Sequence, residues 1–139
     1  MRNPLLKCAL GLSLFSMFTG CGKPPNNSDV PGTYVAEYPF ATESVTIKDG
    51  GKFDQTIKVK ASGKVATTNG TWRFDAKDGD IYFSEEFMVV VDGFGEMVTN
   101  FDTPTRKAIS ILPVRRSFGK MQIGVDPRIP YKKLPSASP

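Results

Sequence analysis

The stretch Lys52-Phe53-Asp54-Gln55-Thr56-Ile57-Lys58-Val59-Lys60 constrains the fold most, because its side chains alternate with a period of two. Phe53, Gln55, Ile57 and Val59 fall on one side, and lysines, Asp54 and Thr56 on the other. A helix, with period 3.6, would scatter these two sets around its circumference, whereas a strand separates them cleanly. A strand with one wet face and one apolar face needs a cover on the apolar side. The chain must therefore supply more strands that face the same interior.

Turn chemistry on both sides supplies them and fixes registers. Asp49-Gly50-Gly51 as a three-residue loop pairs Ile47 with Phe53 and Val45 with Gln55. Ala61-Ser62-Gly63 as a three-residue loop pairs Val59 with Val65 and Ile57 with Thr67. Asn69-Gly70 favours a two-residue type I′ hairpin and pairs Thr67 with Trp72 and Val65 with Phe74. Ala76-Lys77-Asp78-Gly79 pairs Asp75 with Asp80, Phe74 with Ile81 and Trp72 with Phe83. All four turns agree on one inward set: Val45, Ile47, Phe53, Ile57, Val59, Val65, Trp72, Phe74, Ile81 and Phe83. A slip of one residue would move a strand's whole apolar set to the other face. The expectation is a five-stranded meander over 43–84. Further strands are expected at Thr33 to Glu37, Phe87 to Val91, Ala108 to Val114 and Lys120 to Val125. The predicted class is all-β, an antiparallel meander of about eight to nine strands closing into a small barrel or sandwich.

Gly32-Thr33-Tyr34 opens the first strand with glycine, threonine and an aromatic. It resembles the Gly-x-Trp entry to the first strand of lipocalins, with Tyr34 in place of Trp. The meander that follows is similar to that of bacterial lipocalin-like lipoproteins. The resemblance implies a small lipocalin-like barrel and brings no binding residues with it.

The N-terminal segment reads as an address. Met1 to Lys7 carries positive charge, Cys8 to Phe18 is an apolar run, and Thr19-Gly20 precedes Cys21. The apolar run is shorter than the roughly 20 residues a spanning helix needs. A charged start, short apolar middle and small-residue end read as a removable secretory signal. Phe18-Thr19-Gly20-Cys21 resembles the lipobox of bacterial lipoproteins, with Phe18 at the position that usually holds Leu. The resemblance implies cleavage before Cys21, diacylglycerol on its sulfur and an acyl chain such as palmitate on its amine. Each buried methylene contributes ~0.8 kcal/mol, so two or more chains anchor stably. Gly22 stands where the family's inner-membrane retention signal places Asp, which implies the periplasmic face of the outer membrane in a two-membrane cell. The expected organisation is a signal peptide at 1–20, a lipidated Cys21 with a flexible Pro/Asn-rich tether to 31, a β-barrel-like domain at 32–126, and a Pro-rich basic tail at 127–139. That tail reads as extended or as a docked arm.

Composition narrows the chemistry. The 139 residues contain no histidine. Ser–His–Asp and Cys–His catalysis and imidazole–metal sites are therefore excluded. Cys8 would leave with the signal and Cys21 would carry lipid, which leaves no pair for a disulfide. Residues 21–105 hold 8 basic and 13 acidic side chains, whereas residues 106–139 hold 8 basic and only Asp126 acidic. Such asymmetry fits an anionic partner, either phospholipid headgroups or an acidic protein face, or neutralisation between neighbouring strands.

Gln55 and Thr67 fall on the inward face beside Trp72, where buried polar groups need partners. They are candidate ligand-orienting residues in an apolar pocket; the alternative is a hydrogen bond from Gln55 to loop backbone. Arg115, Arg116 and Lys120 are the candidate interaction patch. Asp75, Asp78 and Asp80 crowd one turn, but their spacing does not match the EF-hand loop, Lys77 intrudes, and Asp and Gly are ordinary turn formers. Glu85 and Glu86, as strand neighbours, point apart and cannot share a substrate. Arg73 and Tyr82 are expected to stack outside the barrel. Phe94, Met97 and Phe101 surround a poorly patterned loop. These readings lead to a lipid-anchored, non-enzymatic envelope protein without metal, cofactor or nucleic-acid partner. Two modes of action stay open: holding a small apolar ligand, or serving as a structural or protein-interaction accessory through the basic C-terminal strands.

Overall fold

A computed structural model describes residues 23–90, 109–124 and 131–136. Its eight strands are β1 (Gly32–Glu37), β2 (Ala41–Lys48), β3 (Lys52–Val59), β4 (Val65–Asp75), β5 (Asp80–Phe83), β6 (Ser110–Ser117), β7 (Lys120–Ile123) and β8 (Tyr131–Lys133). Each pairs antiparallel with its neighbour in sequence, and β8 returns to β1, closing a barrel. The all-β meander expected from the alternating pattern is the fold, and it is consistent with a small lipocalin-like barrel.

Two of the four turns set the expected register. Across β2 and β3, Ile47 lies opposite Phe53 and Val45 opposite Gln55. Across β4 and β5, Phe74 lies opposite Ile81 and Trp72 opposite Phe83. Arg73 faces Tyr82 on the outside, its guanidinium 3.7 Å from the ring centroid.

The other two turns differ from expectation. Val65 lies opposite Lys58 rather than Val59, and Ile57 opposite Ala66 rather than Thr67. The Val59 amide donates to Lys64 O and the Gly63 amide to Val59 O, so the loop holds Lys60 to Gly63, one residue more than expected. That single residue turns the start of β4 over: Val65 is 59% exposed and Thr67 faces solvent.

Asn69-Gly70 is not a hairpin. β4 runs straight through it, with Asn69 opposite Asp54 and Gly70 opposite Phe53. Gly70 serves a different need, close approach inside a strand. A Cβ on it would stand 2.8 Å from the edge of the Phe53 ring and would also strike the Ser84 hydroxyl. β4 is consequently long. Its first part pairs with β3 and its last four residues with β5. β6 changes partners in the same way, pairing with β5 up to Pro113 and with β7 from Val114. Pro113, which has no amide hydrogen, sits at that changeover.

The described parts of both flanking segments are drawn into the barrel. The segment read as a tether holds a 3-10 turn, Asn27–Asp29, capped by the Asn26 side chain, which accepts from the Ser28 and Asp29 amides. Val30 behind it is fully buried. In the segment read as a tail, Tyr131–Lys133 forms β8, the strand that closes the barrel between β7 and β1. The docked-arm alternative describes it better than an extended tail. Phe87 to Val90, expected to start a strand, is instead a coil.

The interior is aromatic. Phe53 and Phe83 meet edge to face at 5.1 Å between centroids, and Phe87 from the coil stacks on Phe83 at 4.4 Å. Val45, Ile47, Ile57, Ile81, Val114, Met121 and Ile123 also line the barrel. Val59 and Phe74 are only partly buried. The expected loop residues Phe94, Met97 and Phe101 lie outside the described residues.

Candidate functional site

Glu43 occupies the centre of the one polar cluster found inside the barrel among the described residues. It is fully buried on β2, two positions before Val45, so the strand's alternation carries it inward. The Tyr38 hydroxyl donates to its Oε2 at 3.0 Å, and Gln55 Nε2 donates to its Oε1. The Tyr131 hydroxyl, from β8, also bonds to this carboxylate. Burial raises the Glu43 carboxyl to about 7, against the opposing pull of those three donors. The same burial, with Glu43 beside them, pushes the Tyr38 and Tyr131 phenols well above their usual range.

Gln55 links this cluster to the coil that enters the barrel. Its Nε2 donates to Met88 O and its Oε1 accepts from the Met88 amide, both at 2.8 Å. The side-chain amide thus pairs with one backbone residue as a neighbouring strand would, and it holds Phe87, Met88 and Val90 in the interior. No buried side-chain polar atom among the described residues lacks a partner.

The proposed ligand-orienting residues separate. Gln55 is inward and committed to Glu43 and Met88. Trp72 is inward, and its Nε1 donates to Lys48 O at 2.9 Å. Thr67 faces solvent on the opposite side of β4, because of the longer β3–β4 loop. The space between Tyr34, Phe83, Phe87, Ile123 and Tyr131 has no room for a water molecule. Among the described residues, these three do not converge on a pocket.

The basic residues of the C-terminal strands also divide. Arg116 donates to Asp29 Oδ2 at 2.9 Å and ties β6 to the N-terminal 3-10 turn. Lys133 donates to Asp29 O at 2.7 Å and lies over the Tyr34 ring. The Tyr34 hydroxyl donates to Val30 O at 2.7 Å from beneath. Arg115 and Lys120 are exposed. Between them, Phe118 and Gly119 make a two-residue turn with φ of 49° and 76°. Positive φ at both positions is the type I′ arrangement, which favours Asn, Asp or Gly. Phe118 occupies the first of them and is fully exposed.

Of the remaining candidates, Asp75 Oδ1 accepts from the Lys77 amide, an ordinary turn contact. No group of three His, Cys, Asp or Glu residues comes together to hold a metal among the described residues. The Ser84 hydroxyl bonds to Glu86 and accepts from the Thr71 amide, closing the barrel wall beside Gly70. Cys21 lies outside the described residues.

Glu43 was not among the sequence candidates. The signal for it was the alternation itself: Val45 and Ile47 inward require Glu43 inward.

Comparison with protein-family models, curated proteins and solved structures finds no match to this chain.

Proposed function

We propose that this chain is a lipid-anchored, non-enzymatic envelope protein that acts through the outer face of its barrel, held at the periplasmic face of an outer membrane by lipid on Cys21. The observation that carries the surface reading is how tightly the described residues pack the interior. Phe53, Phe83 and Phe87 pack the lumen, and the polar groups that could orient a ligand already bond to one another. Small-molecule pockets run from roughly 300 Å³ upward. Among the described residues, the surface offered to a partner is the outside, where Arg115 and Lys120 are exposed. Arg116 is engaged with Asp29 and contributes to docking of the N-terminus instead.

Native mass spectrometry of the protein extracted from its envelope tests this directly. The expected mass is that of the acylated chain alone. A retained apolar molecule that survives detergent exchange would overturn the surface reading. The anchor has its own test: Cys21→Ser is expected to release the protein from the membrane fraction, and persistence there would remove the lipid.

A second reading has one observation in its favour. Phe87 to Val90 enters the barrel as a coil, fastened at Met88 through Gln55. An apolar ligand could take the place of those side chains. It would bind a Gln55→Leu variant more tightly than wild type, because that variant loses both bonds to the coil.

A further inference from the structure

Phe118 is a bulky apolar side chain in a conformation that disfavours it, at a position where it buries nothing. A non-glycine residue with positive φ is uncommon, and for a bulky residue it marks strain. Asn or Asp at this position would favour the type I′ turn, and folding gains nothing visible from a phenyl group there.

Its surroundings identify a partner. The turn joins β6 and β7, and Arg115 and Lys120 flank it, both exposed. Arg116, two residues before Phe118, grips Asp29 of the N-terminal turn. The barrel's N-terminus and the Phe118 turn therefore lie at the same end. Cys21 stands five residues before Asn26, which spans at most ~18 Å of extended chain. An anchor on Cys21 brings this end of the barrel to a bilayer, and Lys23 lies on the way.

The acidic turn at the same end does not block such contact. Val114 donates its amide to Gly79 O, so Gly79, at the end of the Asp75 to Asp80 turn, is level with Val114. Phe118 lies four residues further along β6, and strands rise ~3.3 Å per residue. The tip of the β6–β7 hairpin thus lies about 13 Å further along the strand than the level of Gly79. Its tip combines an exposed aromatic with basic side chains on both sides, which is the composition of elements that seat an apolar group at the headgroup level while cations meet anionic lipid.

We propose that the β6–β7 hairpin is a membrane-contact element, with Phe118 entering the headgroup region of an anionic bilayer and Arg115 and Lys120 meeting its phosphates. It orients the barrel on the membrane, where a single flexible attachment would leave it free to tumble. This inference names the partner of the outer face and draws on the anchor reading for its orientation.

The test places an indole at the tip. Phe118→Trp protein, lipidated and purified from membranes, is mixed with vesicles of brominated phosphatidylglycerol or brominated phosphatidylcholine. Bromine quenches only indoles that enter the bilayer. Trp72, the chain's single tryptophan, is buried and provides the wild-type baseline. Ser62→Trp, in the β3–β4 turn at the opposite end of the barrel, provides the control. On phosphatidylglycerol, the Phe118→Trp protein should be quenched several-fold more than the Ser62→Trp protein. Adding Arg115→Glu and Lys120→Glu, or raising salt to about 1 M, should remove the difference. Equal quenching at the two ends, or none at the tip, overturns the proposal and leaves the hairpin to an acidic protein. Flotation on phosphatidylcholine reads the anchor separately, so loss of the lipid and loss of tip contact give different results.

Discussion

Replacing Glu43 by Gln should remove most of the pH dependence of stability between pH 4.5 and 7. The Glu43 carboxyl has an ordinary value of 4.5 and is raised to about 7 in the folded barrel, chiefly by burial. Below pH 4.5 both folded and unfolded chains hold its proton, and the group has no effect. Between 4.5 and 7 the unfolded chain releases the proton while the folded chain keeps it, so stability falls as pH rises. Above 7 both are ionised and the loss is complete. A rise of about 2.5 units corresponds to about 3 kcal/mol. The chain has no histidine, so no side chain has its ordinary value between pH 5 and 7. The Tyr38 and Tyr131 phenols, raised by burial, stay neutral throughout it.

The amide of Gln at this position keeps the hydrogen bonds with little change of shape. Its oxygen can accept from Gln55 Nε2, and its NH₂ can donate to a tyrosine oxygen once that hydroxyl rotates. The assay is urea unfolding followed by Trp72 fluorescence from pH 4 to 8. For a urea slope of about 1–3 kcal/mol per molar, the wild-type midpoint should fall by about 1–3 M across the window. The Glu43→Gln midpoint should stay flat and exceed wild type at pH 8. A flat wild-type profile, or the same fall in the variant, would refute the assignment of a buried proton to Glu43.

Other outcomes follow from the same packing. Gly70→Ala should destabilise the barrel by about 1–3 kcal/mol, because its methyl meets Phe53 and Ser84, and thermal unfolding will read it as a lower Tm. Phe87→Ala should cost about 3–5 kcal/mol by emptying the site between Phe53 and Phe83, measured in the same denaturant series. Phe118→Asn should raise stability by about 1 kcal/mol by relieving a left-handed backbone, and an unchanged or lower midpoint would argue against strain in that turn. Arg116→Ala should change global stability by under about 1 kcal/mol, since the ion pair is partly solvated. It should nonetheless speed amide hydrogen exchange at Ser28 and Asp29, whose docking it supports.

The alternation in 52–60 was enough to identify the fold class, because a one-sided strand forces a covering sheet. Registers were legible where the loop was short and its glycines specified it, as at Asp49-Gly50-Gly51. They were not legible at the β3–β4 loop, where one extra residue is invisible in composition. A hairpin at Asn69-Gly70 also places Trp72 inward, where it lies. That agreement came from two errors that cancel. A strand face has only two values, so the slipped β3–β4 register turned Val65 and Thr67 the wrong way, and the imagined hairpin turned Trp72 back. Agreement among successive turns is weaker support than it looks, since any even number of slips restores the same face. The chain ends escaped for another reason. β8 is three residues long, too short for any periodicity, and its pairing with β1 spans about a hundred residues of sequence.

The polar cluster was half legible, and the missing half is instructive. Gln55 reads as an inward polar residue, and of its two expected partners, a ligand or loop backbone, the backbone of Met88 is the one found; its carboxylate partner is the part left unread. Yet the register already placed Val45 opposite Gln55, which makes Glu43 its diagonal neighbour on the inner face. Diagonal positions on adjacent strands stand ~7–8 Å apart, within reach of two long side chains. A charged residue at an inward position is ordinarily taken as evidence that the strand has ended. Here it marks the opposite: an inward amide and an inward carboxyl on neighbouring strands satisfy each other, and Tyr38 and Tyr131 supply the remaining donors. The arrangement then explains the coil as well. Gln55 has both a donor and an acceptor left after Glu43, and the Met88 backbone offers one of each. Removing the carboxyl altogether, as in Glu43→Leu, should therefore release Gln55 from one partner without loosening Met88, whereas Gln55→Leu should free both. Hydrogen exchange at the Met88 amide distinguishes them: it should stay slow in the first variant and become fast in the second. Fast exchange in both would mean that Glu43, and not the amide alone, holds the coil in the barrel.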